Sequence, residues 1–102
     1  MDQKTKTLVG FAIKSRQVVN GFDAVTSSVS KNKIQLVFLH HSLSSDTRRK
    51  IINLAESKKI QTETITDDHD WQKAWGIERH KIFGIVKGDL GTAISRNINS
   101  GE

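Results

Sequence analysis

The sequence predicts an α/β fold, a three-layer α/β/α sandwich around a small mixed four-stranded sheet in a single domain. Three observations carry this. Apolar residues at helical spacing alternate along the chain with short, β-rich apolar runs. One of those runs, residues 34–39 (IQLVFL), is nearly continuous, as a central strand covered on both faces should be. The 102 residues suit one domain and can bury a core without staples.

The elements follow in order. Residues 4–15 place Leu8, Phe11, Ala12 and Ile13 at the spacing of a helix with one buried face. Residues 17–19 form a short extended piece that ends at Asn20-Gly21. A second helix over 22–31 should bury Phe22, Val25 and Val29. The central strand 34–39 comes next. Ser44, Ser45, Asp46 and Thr47 offer N-caps for a helix over 46–59 that buries Ile51, Leu54 and Ala55. Residues 61–66 (QTETIT) read as a polar strand at a sheet edge. Asp67 or Asp68 caps a short helix through Trp75, stopped by Gly76. In that helix Trp71 and Trp75, four apart, read as core. Residues 82–86 (IFGIV) form another buried strand. A last helix starts near Asp89 with Leu90, Ala93, Ile94 and Ile98 inward. There is no proline, repeat or linker, so Gly, Asn, Ser and Asp must make the breaks.

Composition excludes several classes. With no cysteine, disulfides and thiolate metal sites are ruled out, and a reducing, cytoplasmic setting is expected. The first twenty residues read as an amphipathic helix rather than a signal peptide, and no apolar stretch approaches a membrane span. Lys and Arg number 16 against 11 Asp and Glu, a net charge of +5. Four acids, Glu63, Asp67, Asp68 and Asp70, crowd one short window, so the rest of the surface is more basic still. A polyanionic partner or plain solubility would each account for this.

No cofactor, metal or small-molecule substrate is implied. His40 and His41 are neighbours that would point to opposite faces of a strand end, and Asp68-His69-Asp70 is too short for a metal site. Gly84, Gly88 and Gly91 match neither the phosphate loop nor the dinucleotide fingerprint. No Ser–His–acid layout is evident, so an enzyme is not expected.

Several short motifs, in order, resemble the ribosomal L7Ae/L30e family, in particular its small bacterial ribosome-associated branch. Val18-Val19-Asn20-Gly21 followed by Phe22-Asp23-Ala24-Val25 is similar to the family's L-V-x-G-x-[NDE]-x-[VT] start of the second helix. Residues 34–39 are similar to its A-x-L-V-x-[LI]-A strand, and residues 44–50 occupy the place of its S-x-N-T-x-K-K. Residues 71–77 (WQKAWGI) resemble L-G-x-A-x-G-[IL], and residues 82–86 stand where the family has V-A-[VI]. The likeness spans about residues 8–98.

The resemblance implies a non-enzymatic, monomeric, ribosome-associated protein. Its whole length, 1–102, would be one RNA-binding domain that recognises kink-turn RNA, most naturally ribosomal RNA. The start of the second helix would enter the major groove, and the loop after Gly76 would pack on the bulged nucleotides. The residues so implicated are Lys14, Arg16, Asn20, Gly21, Phe22, Asp23 and Lys33, with Ile77, Glu78, Arg79, His80 and Lys81 in the loop. Each has a plainer reading. Gly21 is a turn glycine, Asn20 and Asp23 form an approximate capping box, and the lysines and arginines are solvated charges. Arg48, Arg49 and Lys50 crowd a helix start, where positive charge opposes the dipole, which also suggests an anion. Ala24 and Ser27 depart from the family, which favours Glu and Lys there. The alternative is therefore a member that has lost kink-turn specificity and binds ribosomal RNA or a protein through its basic face.

Overall fold

The structure, a computed structural model, describes residues 2–66 and 81–100. The expected short helix around Trp71 and Trp75 lies outside the described residues. The rest forms α1 (Gln3–Lys14), β1 (Val18–Asn20), α2 (Phe22–Ser30), β2 (Ile34–His40), α3 (Ser45–Ser57), β3 (Gln61–Ile65), β4 (Ile82–Val86) and α4 (Asp89–Ser100). The strand order is β1-β4-β2-β3. β2 pairs with β3 in parallel and with β4 antiparallel, and β1 pairs antiparallel with β4. The sheet is mixed and four-stranded, β2 lies inside it and the polar β3 forms an edge, all as the sequence suggests.

β2 is apolar on both faces, so both must be covered. Leu36 and Phe38 face one side, where they meet Val9 and Ala12 of α1, Phe83 and Ile85 of β4 and Ile94 of α4. Val37 and Leu39 face the other, against Val25 and Val29 of α2 and Ile51 of α3. Phe38 and Phe83 are register partners whose rings stack with centroids 4.9 Å apart. The layers are thus α1 with α4, the sheet, and α2 with α3.

A bulge makes this pattern possible. Ile34 pairs with Val86 and Leu36 with Ile85, so Gln35 is an extra residue on β2. The extra residue resets the alternation, and Ile34 therefore joins the α2–α3 side although it lies two residues from Leu36. Gln35 packs on α4 at Gly91. A Cβ at Gly91 would lie 2.8 Å from the Val86 carbonyl oxygen and 3.0 Å from Gln35 Cβ.

α1 buries Ala12 and packs Leu8 and Ile13 on the core as expected, and differs at Phe11. Its inward stripe is Thr5, Val9 and Ala12, and Phe11 is 53% exposed. At 100° per residue, position 11 cannot share a stripe with 5, 9 and 12. The buried Thr5 is satisfied, because its hydroxyl accepts from Asn97 Nδ2 at 2.7 Å. Asp2 caps α1 by accepting the Thr5 N–H at 2.8 Å, and that bond chiefly holds its carboxyl below the usual carboxylate range. Phe22, Leu54, Leu90 and Ile98 are only partly buried and pad the rims of the two cores. The edge strand is tied to α4 through Gln61, whose Oε1 accepts from Ser95 Oγ at 2.8 Å and whose Nε2 donates to Asn99 Oδ1 at 3.1 Å.

Gly91→Ala tests the close approach of α4. Alanine favours a helix over glycine by about 1 kcal/mol, yet here its methyl group overpacks a site that backbone defines, at about 1–3 kcal/mol. A net fall in melting temperature is expected by thermal denaturation. A rise would mean that α4 does not sit this close to the sheet.

Candidate nucleic-acid interface

The sheet has two ends, and the strand directions decide what lies at each. At the first end β1 and β2 finish, β4 begins and α2 starts. One residue, Gly21, connects β1 to α2. Its φ of 92° and ψ of 159° fall in a region essentially confined to glycine. Its N–H donates to the Ile82 carbonyl at 2.9 Å, and its carbonyl accepts the Val25 N–H at 3.0 Å. The turn is therefore pinned to β4 on one side and begins the helix on the other.

Glycine as N-cap leaves α2 without a side-chain cap. The expected capping box of Asn20 and Asp23 does not form. Asn20 is held in β1 opposite Phe83, so its side chain is not at the cap position. Its Oδ1 is buried, with no hydrogen-bond partner among the described residues. Asp23, Ala24 and Ser27 are exposed, and Phe22 is half-buried against the α2–α3 core. The helix start thus presents uncapped first-turn amides, a positive dipole end and the exposed carboxylate of Asp23.

Lys81 lies at this same end. It is exposed, and its carbonyl accepts the His40 N–H at 2.8 Å. It immediately precedes Ile82, the partner of Gly21. Ile77, Glu78, Arg79 and His80 lie outside the described residues.

His40 and His41 do not point to opposite faces. The strand stops at His40 and the chain turns, with His41 N–H on the Ile65 carbonyl at 2.9 Å and Leu43 N–H on the His40 carbonyl at 3.1 Å. The two rings meet with centroids 4.4 Å apart. His40 Nδ1 lies 2.7 Å from Ser42 Oγ and accepts the Ser42 N–H at 3.2 Å.

The basic helix start of α3 also has an internal explanation in part. Arg48 donates to the His40 carbonyl at 2.8 Å and to Thr64 Oγ1 at 3.0 Å, so it caps strand ends. Arg49 faces Asp46 at 4.0 Å in solvent. An external anion is not needed to account for Arg48.

Lys14, Arg16 and Lys33 are not brought to Gly21. They lie at the other end of the sheet, where β1 and β2 begin and β4 finishes. Val86 N–H bonds the Gln17 carbonyl there, and Lys87 N–H bonds the Lys33 carbonyl. β2 has seven residues, so the two ends stand about 20 Å apart at ~3.3 Å per residue. Lys58, Lys59 and Lys87 join them at that end, and charge counting along the chain does not single these out. Among the described residues no group of three or more His, Asp or Glu could hold a metal ion, and no helix is long and apolar enough to cross a membrane.

An uncapped helix start beside a sheet end, on a small α/β/α sandwich, is an arrangement that can bind an anion. The chain belongs to the ribosomal protein L7Ae/L30e/S12e/Gadd45 family, whose model matches residues 3–89. The family is one of binding proteins, not enzymes. The chain is 23% identical over 84 residues to the RNA-binding protein YlxQ of Enterococcus faecium, covering 82% of this chain and 81% of that protein. In fold it resembles a protein of unknown function from Bacillus halodurans, with TM-score 0.81, 21% identity and coverage of 97% and 100% of the two chains. It also resembles the 15.5 kD RNA binding protein of Giardia lamblia, with TM-score 0.79, 15% identity and coverage of 97% and 88%.

Gly21→Ala is expected to destabilise the protein by about 1–3 kcal/mol, since its backbone is nearly closed to a Cβ-bearing residue. Denaturant unfolding measures this. A loss below about 0.5 kcal/mol would mean that the turn relaxes to another conformation.

Proposed function

We propose that the protein binds a kink-turn in structured RNA through the start of α2 and the segment 77–81. In this reading it is a monomeric, ribosome-associated cytoplasmic factor, its RNA is ribosomal, and residues 1–102 act as one RNA-binding domain. The observation that carries the reading is the uncapped first turn of α2, fixed by Gly21 at the chain position of the family's second-helix motif. Bare amides and a positive helix end suit phosphate oxygens. The exposed Asp23 is an acceptor that can meet exocyclic amino groups on base edges. Lys81 adds a cation beside them without reading sequence. Two relatives described as RNA-binding, from Enterococcus faecium and Giardia lamblia, support the class of ligand.

Ala24 and Ser27 are exposed on the same helix. Neither reaches as far as the Glu and Lys that the family favours, so base reading falls to Asp23 and the segment 77–81. Ile77 would supply apolar contact, and Arg79 charge, to unpaired nucleotides.

The test is affinity for a kink-turn duplex against the same duplex with its sheared G·A pairs replaced by Watson–Crick pairs, at fixed near-physiological salt. A preference of about 100-fold, ~2.7 kcal/mol, is expected, the work of one or two base-edge contacts. Asp23→Ala should remove most of that preference while leaving the weaker binding to the control duplex unchanged. Equal affinity for both duplexes would overturn kink-turn recognition.

A further inference from the structure

Three connections in this fold close in the same way. At the end of α1, the Gln17 N–H reaches back to Ala12 O at 2.8 Å and the Arg16 N–H to Ile13 O at 3.1 Å. At the end of α2, Lys33 N–H bonds Ser28 O at 3.0 Å and Asn32 N–H bonds Val29 O at 3.0 Å. At the end of α3, Ile60 N–H bonds Ala55 O at 2.8 Å and Lys59 N–H bonds Glu56 O at 3.0 Å. Each is a Schellman closure, which needs one left-handed residue. Those residues are Arg16, Asn32 and Lys59, with φ of 60°, 60° and 58°. Glycine is the usual occupant and asparagine the usual substitute. At two of the three turns the chain instead carries a long cation on a backbone that disfavours it.

All three closures open onto the same end of the sheet, because each leads straight into a strand. Hydrogen bonds continue the register past the strand ends, through Gln17 with Val86 and Lys33 with Lys87. Arg16, Lys87, Lys33 and Lys59 therefore stand one per strand beside the ends of β1, β4, β2 and β3. Lys14, Lys31 and Lys58 stand just behind, at the last residue or C-cap of the three helices. All seven are exposed, and no ion pair holds any of them among the described residues. The acids nearest in sequence are Glu56 and Asp89.

Helix C-termini draw cations, which accounts for Lys14, Lys31 and Lys58. It does not account for Lys87, which follows a strand, nor for cations at the left-handed positions. One turn before Lys14, Phe11 is 53% exposed. A row of unpaired cations with an exposed aromatic ring at its margin has the composition of a single-strand nucleic-acid surface.

We infer that this end of the sheet is a second RNA surface, separate from the α2 start, which takes the phosphate backbone of a single-stranded segment on Arg16, Lys33, Lys59 and Lys87 and stacks a base on Phe11. Flexible lysines bind phosphate without reading sequence, so the surface is sequence-tolerant. The inference rests on the protein being an RNA binder, and not on its recognising kink-turns.

The probes are a uridine homo-oligonucleotide and the kink-turn duplex, followed by fluorescence anisotropy over a salt series. One variant combines Arg16→Asn, Lys33→Gln, Lys59→Asn and Lys87→Gln. Asparagine suits the left-handed backbone, so its fold should be retained, and the melting temperature checks this. Oligonucleotide affinity should fall tenfold or more, and the slope of log K against log salt should shrink by about 3, at ~0.7 per phosphate. Kink-turn affinity should stay within about threefold. Phe11→Ala should weaken the oligonucleotide about fivefold or more. Unchanged oligonucleotide binding in the fourfold variant, no binding by the parent protein, or equal loss of both RNAs would overturn the inference. If the parent shows no kink-turn preference while the variant still loses the oligonucleotide, kink-turn recognition fails and the second surface stands.

Discussion

β2 must be covered on both faces, and the rest of the molecule is arranged to do it. Leu36 and Phe38 point to one layer, Ile34, Val37 and Leu39 to the other, and the Gln35 bulge lets Ile34 change sides. Two helices on each face follow. α1, α2 and α3 each feed the strand that comes next, so each finishes where β1, β2 and β3 begin. Their N-termini consequently gather at the opposite end. The two ends of the sheet become electrically different before any side chain is considered. One carries the starts of α1, α2 and α3, with bare amides and positive dipole ends, whereas α4, which follows β4, runs the other way. The other carries the finishes of those three helices, with negative dipole ends and the residues that close them.

Side chains then sharpen the difference. At the first end, Gly21 gives α2 no side-chain cap and Asp23 is exposed beside it, while Arg48 is spent on the His40 carbonyl and the Thr64 hydroxyl. That end is suited to reading, with few groups and fixed directions. At the second end, four cations stand one per strand with three more behind, suited to holding a polyanion without reading it. Seven exposed cations thus stand away from the family's motif. In the proposed function the first end supplies choice among RNAs and the second adds affinity for a flanking strand.

Much of this was legible in the sequence. The continuous apolar run of β2, the polar edge of β3 and the helix starts at Ser44 and Asp89 rest on local signals, and local signals survive folding. The motif order gave the fold and the position of Gly21. What failed was whatever depends on direction in space. Lys14, Arg16 and Lys33 are close to Gly21 in number, yet a strand or a helix carries them to the far end. Phe11 looked inward because its neighbours are apolar, whereas the stripe is set by Val9 and Ala12. Arg48 looked like an anion site because a helix start disfavours it, and its acceptors, the His40 carbonyl and Thr64, are strand residues that local sequence cannot bring to it. The His40–His41 contact depends on where β2 stops, which one residue decides. Cations at left-handed positions carry no sequence signal at all, since Arg16 and Lys59 read as ordinary surface charges.

Backbone-amide chemical-shift mapping during titration with a kink-turn RNA tests the central claim most directly, because both ends are observed in one experiment. The largest shifts are expected at Gly21, Phe22, Asp23 and Ala24, with Lys81, while Arg16, Lys33, Lys59 and Lys87 respond only when the RNA carries a single-stranded extension. Shifts confined to the basic end, with Gly21 to Ala24 unmoved, would contradict the account.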